Sequence, residues 1–142
     1  MVRKTTSPFL SVDRAPSPFA QIIVGVSGVL FIVVALLLLF APRWFFENIG
    51  LFPPYNRHYE GDLGAFLLPL AIGLLFAARN PAKYRAVIAI AAAGSALHVL
   101  NHIFDGVTLS FTLLHWLTDT APLVLSAVLL IIAWRNSYSQ TK

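Results

Sequence analysis

Four long apolar runs, separated by short polar stretches, set the pattern of this chain. The first, Phe19–Ala41, is interrupted only by Gln21 and Ser27. The second, Gly61–Ala78, carries Asp62 at its start and Pro69 and Gly73 inside. Tyr84–Phe104 and Leu113–Trp134 follow, the last with Pro122 inside. About 20 apolar residues in α-helix cross the hydrocarbon core of a bilayer, so each run predicts a transmembrane helix. A proline within such a helix is tolerated where neighbours re-satisfy the freed backbone groups. The connections after the second and third runs are short, so their flanking helices are expected to be antiparallel neighbours. The expected fold is all-α: an integral membrane, up-down four-helix bundle over residues 19–135. Mobile cytoplasmic tails are expected at residues 1–18 and 136–142. The first run is too long for a cleaved leader and lacks a small-x-small site at its end, so it is expected to remain as a span.

The connection from Pro42 to Tyr59 is too apolar for a free loop. Trp44, Phe45, Phe46 and Phe52 predict a short interfacial segment lying along the membrane surface between helices one and two. Pro53 and Pro54 stop any helix there. Two roles are open for it. It anchors and shields the bundle, or it forms a lid over a cavity with Tyr55, Asn56, Arg57 or His58 reaching in.

The third run breaks its own pattern. His98, Asn101, His102 and Asp105 fall within an arc of about 100° on one helix face. Ionisable groups within a membrane helix are costly and usually face the bundle interior. His98 lies about 20 Å of rise beyond Arg85, some two-thirds of the way across the core. On the same face Ala91, Gly94 and Ser95 either admit a neighbouring helix closely or leave room below the histidines. Helix four offers a matching stripe of His115, Thr118, Asp119, Pro122 and Ser126. Helix two offers Tyr59, Asp62, Phe66, Pro69 and Gly73, with Glu60 pointing elsewhere. The simplest assembly gathers Asp62, His98, His102 and Asp119, with Asp105 and His115 at the mouth.

Composition supports the membrane assignment: 58% of residues are hydrophobic and 11% charged, against about 25% charged in soluble domains. With no cysteine, structural disulfides, iron–sulfur clusters, covalent c-type haem and dithiol redox chemistry are excluded. The net charge of +4 does not point to nucleic acid, because the basic residues are scattered in flanks of the apolar runs. Of ten Lys and Arg, Arg3, Lys4, Arg14, Arg79, Lys83, Arg85, Arg135 and Lys142 lie on one side of the expected topology. Only Arg43 and Arg57 lie on the other. The positive-inside rule then places both termini in the cytoplasm of a cell whose inner membrane holds the bundle. All four histidines and all the acids but Asp13 fall on the outer side.

Three readings of the outer cluster stay open. His98 and His102, an i, i+4 pair, could share a transition metal with Asp62 or Asp119 as oxygen ligands; a b-type haem would need one of them plus His115 or a second subunit. Alternatively the His/Asp site, including Asn101 and Asp105, binds a lipid headgroup, a quinone ring or another small amphipathic ligand. Finally, these groups satisfy one another and serve only helix packing. A packing cluster predicts that His102→Ala lowers stability and that Asp119→Ala recovers part of the loss. A ligand site held at some cost in stability predicts that His102→Ala or His98→Leu is neutral or stabilising. Expected partners are the bilayer itself and other membrane subunits or a second copy; a binding or accessory role is favoured over an enzyme.

The run Phe52-Pro-Pro-Tyr-Asn-Arg-His-Tyr-Glu-Gly-Asp-Leu-Gly-Ala-Phe66, followed by His98-x-x-Asn101-His102-x-x-Asp105, resembles small bacterial four-span membrane proteins of the DoxX-like group. The resemblance covers about Pro42–Asp105 and implies a four-helix bundle in a bacterial inner membrane. Some members of that group are linked to membrane oxidoreductases, but a thiol-based role does not suit a chain without cysteine. The resemblance carries over no catalytic residue.

Overall fold

The computed structural model describes residues 16–50 and 52–137. The expected tails up to residue 15 and from residue 138 lie outside the described residues. Among the described residues six helices follow in order: α1 (Pro18–Phe40), α2 (Pro42–Asn48), α3 (Arg57–Arg79), α4 (Arg85–Thr108), α5 (Leu113–His115) and α6 (Ala121–Arg135). A π-helical turn, Trp116–Thr120, joins α5 to α6. Four segments are long and apolar enough to cross a membrane: α1, α3, α4 and the continuous stretch Leu113–Arg135. They form the expected all-α four-helix bundle.

Local chemistry sets the helix limits. Ser17 caps α1, its Oγ accepting from the Ala20 N–H at 3.4 Å, and Pro18 sits in the first turn, where a missing N–H costs nothing. Pro42 cannot donate to α1, so the chain breaks at Ala41 and restarts as α2. α3 starts at Arg57, four residues before the apolar run, because the Asn56 side chain accepts from the N–H groups of His58 and Tyr59. α4 runs past Phe104 to Thr108, since its backbone bonds continue to Leu109 N–H on the Asp105 carbonyl at 2.8 Å. Ser110 then adopts φ 55°, and the Phe111 N–H returns to the Gly106 carbonyl at 3.0 Å.

The bundle is two tight helix pairs joined more loosely. α1 packs along α3, and α4 along α6, while the α3–α4 interface is sparse. Close approach explains the first pair. A Cβ on Gly64 would lie 2.9 Å from Leu39 Cγ and 3.0 Å from both the Ala35 carbonyl oxygen and Leu38 Cβ. The core runs through Ala20, Val24, Leu74, Ile88, Ala91 and Leu130. At the end holding Ser17 and Ser137, the Gln21 side chain donates to the Arg79 carbonyl at 3.2 Å. Arg85 Nε donates to the Trp134 carbonyl at 3.1 Å, and the Ser17 N–H to the Ser137 carbonyl at 3.2 Å. The far end of α1, the start of α3, the later part of α4 and the start of α6 meet at the opposite end, around one cavity.

The interfacial segment departs from expectation in detail. Trp44 is 51% exposed, but Phe46 is buried, its ring 5.2 Å from that of Tyr55. Phe45 and Phe52 turn inward and line the cavity. The short α2 therefore roofs the bundle end with aromatic rings instead of laying all four on a membrane surface.

Candidate functional site

The centre of the site is a chain of hydrogen-bonded side chains. His102 Nδ1 is 2.6 Å from Asp119 Oδ2, and His102 Nε2 is 3.0 Å from His98 Nε2. An ionised carboxylate only accepts hydrogen bonds, which assigns the His102 proton to Nδ1. Nε2 of His102 then accepts from the Nε2–H of His98. Nδ1 of His98 has no hydrogen-bond partner among the described residues. A proton offered at that nitrogen can pass to His102 and come to rest against Asp119 without any ring turning over. His115 completes the group, its Nε2 3.5 Å from Asp119 Oδ2. That nitrogen is buried and without a hydrogen-bond partner.

Backbone irregularity positions Asp119. Pro122 would press its ring on the Thr118 carbonyl in a regular helix. The widened turn, with Ala121 N–H bonded to the Trp116 carbonyl, relieves this. Such a turn holds one extra residue, which rotates everything before it by about 100° relative to an unbroken helix. Upstream, Thr112 accepts from the His115 N–H at 3.2 Å and fixes the start of α5. Phe111 stacks on the His115 ring with centroids 3.8 Å apart. Phe52 meets the rings of both His102 and His115 edge-on, at 5.5 and 5.8 Å.

His98, His102 and Asp119 open on a cavity of about 370 Å³ whose other polar linings are Glu60 and Thr118. Its roof is Phe45, Ile49, Gly50 and Phe52, and its wall is Leu38, Leu63 and Leu67. A second space of about 260 Å³ lies in the α3–α4 cleft, lined by Phe66, Leu70, Gly94 and Ser95 among others. Leu63, Leu67 and His98 line both. Gly94 explains the cleft: a Cβ added there would meet nothing within 4 Å. Of the two roles open for the small residues of α4, Gly94 leaves room.

Several expected site residues lie elsewhere. Asp62 is outside the cluster, its side chain 56% exposed and 3.4 Å from His58 of its own helix. Glu60 lines the cavity in its place. Gly64 is held against α1, and Asp62, two residues earlier, therefore points away from the interior. Tyr59 and Phe66, expected inside, are 71% and 82% exposed for the same reason. Asn101 and Asp105 pair with each other at 3.0 Å along an exposed edge of α4. The buried stripe of α4 is Ile88, Ala91, Ala92, Val99, His102 and Gly106, so the polar arc is turned partly away from the core and only His102 is buried. Tyr55, Asn56, Arg57 and His58 are each engaged outside the cavity: with Phe46, the α3 cap, the Leu39 carbonyl and Asp62. Sequence reasoning missed Glu60. The signal was available in Gly64 and Ala71, small residues one heptad apart that mark a packing face.

Among the described residues, no three His, Cys, Asp or Glu side chains are grouped to hold a metal ion. His98 and His102 are joined by a hydrogen bond, and Asp62 sits beside His58 on another face of α3. These features define the class: a multi-pass membrane protein, a four-helix bundle with a roofed His/Asp cavity at one end. No family model matches the chain, and no curated protein or solved structure matches it either.

Proposed function

We propose that this protein binds a small amphipathic molecule, with its polar head at the His98–His102–Asp119 chain and its apolar part in the α3–α4 cleft. One observation carries the reading: the polar cavity and the apolar cleft share Leu63, Leu67 and His98. Joined, the two spaces of about 260 and 370 Å³ suit a small ligand, since binding cavities commonly measure about 300–1,000 Å³. The cleft lies at the sparse α3–α4 interface, which a ligand from the bilayer can enter. The free Nδ1 of His98 sits where head and tail regions join and supplies a hydrogen-bond acceptor for a hydroxyl or an N–H. The protein then acts as a binding or accessory component and not as a catalyst.

A bulky substitution in the cleft tests this directly. Gly94→Leu is expected to leave the fold intact, because its side chain enters open space, and to abolish uptake of a photoactivatable fatty alcohol. Labelling of wild type should concentrate on peptides from α3 and α4. Equal labelling of Gly94→Leu would remove the cleft from the reading.

The proposed orientation puts both termini in the cytoplasm of the inner membrane and the cavity on the outer face. Among the described residues, Arg79, Lys83, Arg85 and Arg135 cluster at the end opposite the cavity, and only Arg43 and Arg57 lie at the cavity end, which is the bias the positive-inside rule uses. Reporter fusions are expected to place the C-terminus inside and Gly106 outside. A C-terminus on the outer face would reverse the site with it.

A further inference from the structure

We infer that the cavity selects a cationic amphiphile: a primary or quaternary ammonium carried on an apolar tail. This rests on the amphiphile reading above and names the head group it would take.

The charge around the cavity is one-sided. Glu60 and Asp119 line it, and among the described residues no lysine or arginine does. The two arginines at this end are both turned away. Arg43 pairs with Glu47 at 2.5 Å and lies over the Tyr55 ring at 5.1 Å. Arg57 stands one turn before Glu60 on the same helix, yet its Nη2 reaches the Leu39 carbonyl at 3.5 Å. Asp119 has His102 and His115 beside it. The Glu60 carboxylate has no ion pair or hydrogen bond among the described residues, and its neighbours on the wall are Leu63 and Leu67. A carboxylate among apolar side chains is favoured in its ionised form by a nearby positive charge. A bound ammonium supplies the counter-charge that no side chain of the cavity provides.

The roof fits the same ligand. Phe45 and Phe52 close the cavity above the carboxylates, and aromatic faces attract ammonium groups within about 6 Å, more so when water is excluded. Conversely, a phosphate or carboxylate head would meet Glu60 and Asp119 with no fixed cation to offset them. The titratable groups facing Glu60 across the cavity are His98 and His102 on α4 and Asp119 in the π turn; α1, α2 and the segment after α2 contribute only apolar side chains and Gly50.

The test uses the full chain in neutral maltoside micelles and three ligands of equal tail length: decylammonium, decanol and decanoate. Decylammonium is expected to bind about tenfold or more tightly than the other two, the scale of one charge-assisted contact. Glu60→Gln should bring decylammonium down to the decanol level with no change in the unfolding midpoint. Glu60→Asp should restore part of the preference. Competition of decylammonium by added phosphatidylethanolamine would identify a lipid amine as the source of the head group, and lack of competition a free amine. Decanoate or decanol binding as tightly as decylammonium would overturn the inference, as would an unchanged preference in Glu60→Gln, and both would leave the amphiphile reading standing. Failure of all three ligands to bind would remove that reading as well.

Discussion

His102→Ala is expected to lower the thermal stability of the purified protein in detergent by about 1–3 kcal/mol, the cost of leaving a buried polar group unpaired. His102 is 9% exposed and bonds at both ring nitrogens, to Asp119 and to His98. Its loss strands Asp119 beside His115 Nε2, which makes no hydrogen bond. Asp119→Ala in the same chain should recover part of the loss, because both partners of the bond are then gone. His98→Leu is expected to behave differently, with a midpoint equal to or above that of wild type. His98 is exposed to the cleft, and removing it leaves His102 Nε2 facing the open cavity and not a sealed interior. Ligand uptake, in contrast, should fall in both variants. Equal destabilisation by the two substitutions would mean that the histidines serve packing alone.

The two helical glycines Gly64 and Gly94 are expected to respond in opposite directions to the same added methyl group. Gly64→Ala puts a Cβ at 3.0 Å from a backbone oxygen of α1 and within 3.0 Å of Leu38 and Leu39 side-chain atoms. Only separation of α1 from α3 relieves this, and overpacking of this kind costs about 1–3 kcal/mol. Since Glu60, Leu63 and Leu67 are carried on the same face of α3, the cavity should widen and ligand affinity fall as well. Gly94→Ala meets nothing within 4 Å, and alanine is favoured over glycine within a helix by about 1 kcal/mol. Unfolding midpoints of the two variants in one detergent check the contrast. A stable Gly64→Ala protein would show that the α1–α3 contact is looser than the structure gives.

A membrane helix must satisfy its backbone internally and present apolar side chains over about 20 residues. The hydrophobic pattern alone therefore determined the four spans and the all-α bundle. The same cost of polar groups in lipid singled out His98, His102, His115 and Asp119, because histidines and a carboxylate in apolar runs need partners wherever the helices go. Helix ends were less legible. The cap at Asn56 and the continuation of α4 to Thr108 are hydrogen-bonding choices that an apolar run does not record.

What only the tertiary structure decided is rotation. A stripe read from sequence fixes which residues share a face, but the angle at which that face meets the bundle depends on the partner. On α3 the contact of Gly64 with Ala35, Leu38 and Leu39 sets that angle, bringing Glu60 to the cavity and sending Asp62 to the outside. On α4 the packing of Ala91, Ala92 and Gly106 takes His102 inward and leaves Asn101 and Asp105 at an edge. Ahead of α6 the π turn around Pro122 shifts His115 and Asp119 by one residue's rotation. In each case close packing between helices outweighed the placement of one polar group, since many van der Waals contacts depend on the angle and one hydrogen bond can be made elsewhere.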